Sequence, residues 1–311
     1  MDSRQLRYFA AIYENGSLSA AAEAARVATS ALSHHLANLE RELMTSLFAR
    51  EPRGMQPTAA GERLYVHAKS ILKAMSAAEK DVREASGEIS GDVSVGMAYS
   101  AVKAIAVDLI RTLEKEHPRV RLSLTESLSG TTLIHLLMSE VDMALVYNPP
   151  NDARLKRLPV LREQMYCVGK REIIGDTSKP ITFDKLLELP IILLRQGPSA
   201  RALMDDVNLL RKLEARAKFQ MNSVHAIADS LTAGLGCIIG TKLFMREPLE
   251  SGELHSRPII KPTLFRTLYI CKLADRPTTF ALQAVQDIIV RLIQGAIRDR
   301  KWEAAALEDK T

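Results

Sequence analysis

The segment "TSALSHHLANLEREL" (29–43) carries Ser30, Ser33, His34 and Asn38 among regularly spaced leucines. On a helical wheel, Leu32, Leu36, Leu39 and Leu43 fall on one stripe. Ser30, His34, Ala37 and Arg41 lie opposite, with Ser33 and Asn38 on the flanks. Hydroxyl, imidazole and amide groups on short arms bond base edges and phosphates, and small neighbours let a helix approach a duplex closely. The chemistry offered is recognition of DNA. A helical hairpin whose polar face is merely solvated has the same spacing, so the continuation decides. "LFAREPRGMQPTAAGERL" places Arg50 and Arg53 around a Gly- and Pro-rich turn, where cations can hold flanking phosphates. Thr29 opens the segment. His35 lies near the leucine stripe and reads as a packing residue.

A second group of polar residues follows strand-like runs and precedes helix starts: "YSA" (99–101), "SGTT" (129–132), "RQGPS" (195–199), "NSV" (222–224) and "GT" (240–241). In a two-lobed α/β region, such segments converge on a crevice at the carboxyl ends of the strands. Free backbone N–H groups and helix dipoles there favour negative charge. The expectation is a small organic anion held by Ser100, Ala101, Ser129 and Thr131 from one lobe and Gln196, Asn222 and Thr241 from the other. Capping of helices alone accounts for the same Ser and Thr residues.

Rival chemistries are weaker. "SAVK" (Ser100 to Lys103) matches the S-x-x-K of serine acyl-enzymes, but no K-T-G follows. The seven histidines show no metal spacing, and no phosphate-binding Gly loop follows a strand, so no cofactor is expected. Cys167, Cys237 and Cys271 stand far apart in apolar runs and read as buried thiols rather than a redox pair.

The elements that must position these groups follow from periodicity. Residues 5–15 have helical spacing that "NGS" stops, and Ser17 or Ser19 can cap a second helix ending near Ala25. Ala21, Ala22, Ala24 and Ala25 allow a close crossing, "RVA" is the turn with Val27 in the angle, and Thr29 can cap the third helix. Thr58 can cap a long helix running to about Ile89. Its apolar residues Leu64, Ala68, Ile71, Met75, Ala78, Val82, Ala85 and Ile89 step by alternating fours and threes. That is a heptad seam, and pairing with a second copy is the economical way to bury it. "SGEISGD" reads as a hinge. Beyond it strands and helices alternate up to a last helix over 279–298, which argues a largely parallel sheet with helices on its faces, split into two sub-domains. The tail "KWEAAALEDKT" reads as frayed.

With 311 residues the chain is long enough for two or three units. Residues 1–91 hold 11 Lys/Arg and 11 Asp/Glu, so the net +5 lies wholly downstream and gives no argument for DNA binding. No run reads as a membrane span, and "MDSRQLRYF" lacks a secretion pattern, so the expected location is the cytoplasm with no membrane partner.

Residues 3–64 resemble the winged helix-turn-helix of the LysR-type transcriptional regulators. The resemblance continues through "SGDVSVGMA", "HPRVRLSLTES", "SEVDMALVY" and "TAGLGCIIG", and looks toward the nitrogen-assimilation-control branch. It implies an α/β protein that is not an enzyme: a DNA-binding domain over 1–58, a dimerising linker helix over 59–90, and an effector-binding domain over 91–311. That last domain resembles periplasmic binding proteins, with lobe I at about 91–162 and 266–300 and lobe II at about 163–265. The implied partners are double-stranded promoter DNA, a small-molecule effector and further copies of the chain, a homodimer extending to a homotetramer. A family member acting without effector, its C-terminal domain serving oligomerisation, is the alternative, and a solute receptor a more distant one. One departure matters. Where the family usually has Gln-Pro opening the recognition helix, this chain has Thr29-Ser30, followed by His34-His35, so base preference does not carry over.

Overall fold

The computed structural model describes residues 1–51, 54–83, 89–194 and 206–307. These form two compact units, Met1–Ser86 and Gly87–Thr311.

The first unit opens with α1 (Ser3–Asn15), α2 (Leu18–Ala25) and α3 (Thr29–Leu43), followed by the hairpin β1 (Phe48–Glu51) and β2 (Gly54–Pro57) and by α4 (Ala59–Arg83). Leu6, Phe9, Ile12, Leu32, Leu36 and Leu39 form its core with Ala21 and Ala22. Each fully buried Leu or Phe contributes about 1.5–3 kcal/mol. Ser17 caps α2 by accepting from the Ala20 N–H. Ala24 is exposed, so the close crossing rests on Ala21 and Ala22. Arg26 turns the chain in the left-handed region, and Val27 packs against the core. Two sequence expectations need correction. Thr29 is the first helical residue rather than the cap; Ala28 holds the cap position without a side-chain bond. Leu43 sits in the last turn and is 37% exposed, because the core has ended there.

The wing is pinned at both ends. Glu40 Oε1 accepts from the Leu47 N–H at 2.7 Å and the Phe48 N–H at 3.3 Å, tying α3 to the start of β1. At the other end Met55 N–H donates to the Gly16 carbonyl at 2.8 Å. Gly54, at φ +125, passes so close that a Cβ would lie 2.4 Å from that same oxygen. Thr58 caps α4 by accepting from the Gly61 N–H. The seam expected along α4 divides. Ala68 is fully buried in this unit's own core with Leu64 against it, whereas Ile71, Met75 and Ala78 are exposed. The Val82 side chain and Ala85 lie outside the described residues, and Ile89 is not helical; it packs on the second unit's core.

In the second unit, β3 (Gly91–Ala98), α5 (Tyr99–Glu116), β4 (Val120–Ser127), α6 (Ser129–Leu137) and β5 (Met143–Tyr147) give the alternating pattern. Then β6 (Leu155–Gln164) leads into a second lobe: β7 (Tyr166–Gly169), α7 (Arg171–Ile174), β8 (Ile181–Thr182), α8 (Phe183–Leu186), β9 (Ile192–Leu194), α9 (Val207–Arg216), β10 (Phe219–Met221), α10 (Val224–Thr232), β11 (Cys237–Gly240), α11 (Arg246–Glu250) and β12 (His255–Ile260). The chain returns through β13 (Phe265–Leu273), α12 (Phe280–Arg298) and β14 (Ala305–Ala306). The lobe I sheet has the order β14-β6-β13-β5-β3-β4, and the larger lobe II sheet β11-β7-β12-β8.

A largely parallel sheet does not describe this topology. In the lobe I sheet only β4-β3-β5 runs parallel; β5-β13-β6-β14 is antiparallel, because β13 returns from the other lobe against the direction of both β5 and the outgoing β6. In lobe II, β9-β10 and β8-β12 pair parallel and β12-β7-β11 antiparallel. The tail corrects a second expectation. Trp302 is 1% exposed in the lobe I core and β14 pairs with β6, so the segment through residue 307 is ordered rather than frayed. Helix α12 is long and apolar enough for a membrane span by composition, yet Val285, Ile288, Ile289 and Ile293 are buried in the lobe I core.

Candidate functional site

On α3 the polar face predicted from sequence is present. Thr29, Ser30 and His34 are exposed, and Ser33 and Asn38 are half-buried at its edges. Its side chains are ordered by one another. Arg41 Nη1 donates to Asn38 Oδ1 at 3.0 Å, and Asn38 Nδ2 lies 3.0 Å from His34 Nε2. With the Asn38 oxygen taken by Arg41, its amide nitrogen must donate, so His34 Nε2 accepts and Nδ1 carries the hydrogen. His35 turns inward and meets the Tyr8 ring edge at 5.1 Å, the packing role expected of it. Arg50 lies on β1, but its side chain, like the whole of Arg53, is outside the described residues.

Between the lobes, two predicted residues converge on a cation that sequence reasoning missed. Arg266 is 6% exposed, and its Nη2 donates to Ser100 Oγ at 3.0 Å and Thr241 Oγ1 at 3.3 Å. Its counter-ion is Glu163, 1% exposed, whose Oε1 lies 2.6 Å from Arg266 Nε. The second Glu163 oxygen accepts from Trp302 Nε1 at 2.8 Å. The guanidinium also stacks on the Tyr147 ring, 3.6 Å from its centroid. Burial works against the charge on Arg266, but Glu163 and the Tyr147 hydroxyl outweigh it and raise its pKa. Burial, with Glu163 beside it, pushes the Tyr147 hydroxyl well above its ordinary value against the opposing pull of Arg266. The result is a fixed, buried positive charge with hydroxyls around it.

The other predicted residues are placed less uniformly. Ser129 is buried and accepts from the Tyr147 N–H at 3.1 Å, which ties it to the same cluster. Neither Ser100 nor Ser129 caps its helix; the cap positions belong to Ala98 and Leu128. Ser223 does cap α10, so the capping explanation holds there. Ala101 is packed into the lobe I core, Thr131 is half-buried on α6, and Asn222 is exposed. Gln196 lies outside the described residues. Lys103 pairs with Glu247 at 3.0 Å, so the Ser100 hydroxyl receives a hydrogen bond from a cation instead of meeting a base. All three cysteines are buried, and burial pushes the Cys271 thiol up to about 12, which leaves little thiolate.

Arg266 and Glu163 did leave a trace in the sequence. Leu264, Arg266, Leu268 and Ile270 are the buried alternate positions on and beside β13, and Leu161, Glu163 and Met165 those on and beside β6. A charge at an inward position of each strand, in direct register, signals a buried pair. The signal is weak because Lys156, Arg157 and Pro159 interrupt the alternation that would mark β6 as a strand.

A winged helix-turn-helix followed by a two-lobed α/β domain with a polar centre between its lobes defines a ligand-responsive transcriptional regulator. Residues 3–62 match the family described as "Bacterial regulatory helix-turn-helix protein, lysR family", and residues 86–294 match "LysR substrate binding domain". The chain belongs to the LysR family of DNA-binding transcriptional regulators. It is 32% identical over 295 residues to the nitrogen assimilation regulatory protein nac of Klebsiella aerogenes, covering 94% of this chain and 95% of that one. Against the Escherichia coli protein of the same name the identity is 27%, covering 97% and 99%. Among solved structures, a full-length OxyR variant from Pseudomonas aeruginosa superimposes with a TM-score of 0.72 at 21% identity, covering 94% and 95%. CbnR complexed with its target DNA gives 0.63 at 19% identity, covering 95% and 100%. At these identities the structures establish the fold alone.

Proposed function

We propose that the exposed face of α3 reads duplex DNA. Thr29, Ser30, Ser33, His34 and Asn38 enter the major groove, and Arg50 and Arg53 hold phosphate or minor-groove edges from the wing. The observation that carries this reading is the ordered row Arg41, Asn38 and His34 on a helix whose opposite side is the domain core. His34 then presents Nδ1–H as a donor, which suits a purine N7 or guanine O6. Because α3 has no side-chain cap, its first N–H groups remain open to a phosphate. Selection of bound duplexes from a random pool, repeated with His34→Ala, tests it: loss of base preference at one position supports the reading.

The C-terminal domain binds a small organic anion between its lobes, at Arg266, Ser100 and Thr241, with Ser129 acting through Tyr147. Ala101, Thr131, Asn222 and Gln196 complete the expected set. The protein acts by binding rather than catalysis, since Ser100 faces a donor and not a base. Its place is the cytoplasm, and its assembly is a homodimer through the exposed Ile71, Met75 and Ala78 of α4, extended to a homotetramer by the C-terminal domain. A second reading has a specific observation in its favour. Glu163 already neutralises Arg266, and Arg266 also bonds Thr241 of lobe II, so the lobes are linked without an effector. Metabolite screening by thermal shift separates the two: an organic acid that stabilises the wild type but not Ser100→Ala identifies the effector site.

A further inference from the structure

Apart from the interlobe centre, the second unit has a cavity of 490 Å³ beside the C-terminal segment. That size falls within the roughly 300–1,000 Å³ of small-molecule sites. Lys242 and Arg246 line it from lobe II, and Arg300 and Lys301 from the segment after α12. The carboxylates on its wall are Glu250 and Glu303, so four cations face two anions.

Both carboxylates are already engaged. Glu303 accepts from the Tyr166 hydroxyl at 2.7 Å and pairs with Lys242 at 2.9 Å, and Glu250 lies 3.9 Å from Arg246 Nε. Arg300 and Lys301 pair with no carboxylate among the described residues. Leu243, Leu249 and Leu254 give the cavity an apolar part. His255, also in its wall, keeps a buried Nδ1 without a hydrogen-bond partner among the described residues. Two uncompensated cations, an orphan imidazole nitrogen and an apolar wall together match one ligand chemistry.

We propose that this cavity binds a small organic anion distinct from any interlobe effector, its apolar body on the leucines and its carboxylate or phosphate on Arg300 and Lys301. The site bears on the rest of the domain through Trp302. That residue lies between Lys301, a proposed ligand group, and Glu303, which also lines the cavity, and its indole N–H holds Glu163. A ligand here fixes the segment that carries the indole.

The test titrates the full-length protein with phenyl phosphate, phenylacetate and neutral 2-phenylethanol, by calorimetry and by the fluorescence of the single tryptophan. At least one of the two anions should bind with a dissociation constant below roughly 10 mM while the alcohol does not. The preferred anion tells phosphate from carboxylate. The double variant Arg300→Ala, Lys301→Glu, exposed at both positions, should weaken that binding by at least about tenfold, whereas Ser100→Ala should leave it unchanged. Absence of binding by both anions, equal affinity in the double variant, or loss of binding in Ser100→Ala would each overturn the proposal. Absence of an interlobe effector would not touch it.

Discussion

Ser100 Oγ and Arg266 Nη2 lie 3.0 Å apart across 166 residues of sequence, both almost wholly buried. A strand-to-helix corner and a returning strand of lobe I thus meet where the chain passes between its lobes. Arg266 is held on its other side by Glu163, so removing that carboxylate strands a buried cation. Glu163→Gln should lower unfolding stability by about 3 kcal/mol or more, measured by urea titration. The double change Glu163→Gln, Arg266→Met should recover much of the loss, since a buried pair replaced together costs far less than one broken singly. Stability of Glu163→Gln equal to the wild type would mean that the pair is not buried as described.

Trp302 ties the C-terminal segment to that pair. Trp302→Phe keeps an aromatic ring, though a smaller one, and removes the donor to Glu163 Oε2; it should cost at least about 1.5–3 kcal/mol, the range for a hydrogen bond to a charged group, with a further loss from the unfilled volume. Trp302→Ala should cost more, about 3–5 kcal/mol. The native emission of this single tryptophan should be blue-shifted relative to the unfolded chain. A solvent-like native spectrum would contradict the buried position.

Glu303 supplies a pH-dependent contribution next to it. Burial works to raise its pKa, but the bonds from Lys242 and Tyr166 prevail and hold it below the ordinary 4.5. A carboxyl depressed in the folded state stabilises above its unfolded pKa and loses that contribution as pH falls through the folded value. Glu303→Gln should therefore be less stable than wild type at neutral pH, and the difference should shrink to nothing as the pH drops below 4.5. A difference independent of pH would show that the carboxylate charge plays no part.

The exposed stretch of α4 gives a prediction about assembly. Ile71 and Met75 are 37% and 38% exposed within a single chain, whereas Ala68 one turn earlier is fully buried in the chain's own core. Ile71→Glu should shift sedimentation of the dimer toward monomer without lowering the helix content of the first unit. Ala68→Glu should instead unfold that unit. Equal dimerisation of Ile71→Glu and wild type would place the contact elsewhere.

The sequence made the first unit legible because its leucines, alanines and caps all act locally: Ser17, Val27 and Thr58 do what their spacing implies. Reading was less complete where partners are distant. Ser100 and Thr241 read as polar groups at helix starts, but their shared partner Arg266 is fixed by cross-strand register with Glu163, and the inward charge that alternation marks on each strand does not by itself give that register. The tail failed for a related reason. Nothing around Trp302 resembles a helix or a strand, and its order comes from a hydrogen bond to Glu163, 139 residues earlier, and from the pairing of β14 with β6. The heptad spacing of α4 reads as one surface, although Leu64 and Ala68 serve the domain and Ile71, Met75 and Ala78 do not. Periodicity reports which side of a helix is apolar, not what covers it.

The central claim, that the α3 face reads DNA with His34 fixed by Asn38 and Arg41, is tested most directly by selecting duplexes from a random pool with the full-length protein and its variants. Wild type should recover one operator-like sequence with symmetric half-sites. His34→Ala should bind the same pool but lose discrimination at one base pair per half-site, a change of about 1–3 kcal/mol between preferred and substituted bases. Asn38→Ala should loosen the same position, because it removes the group that orients the ring, and Arg53→Ala should weaken all duplexes alike. If His34→Ala and Asn38→Ala recovered the wild-type sequence with unchanged base preference, this face of α3 would not be the reading surface.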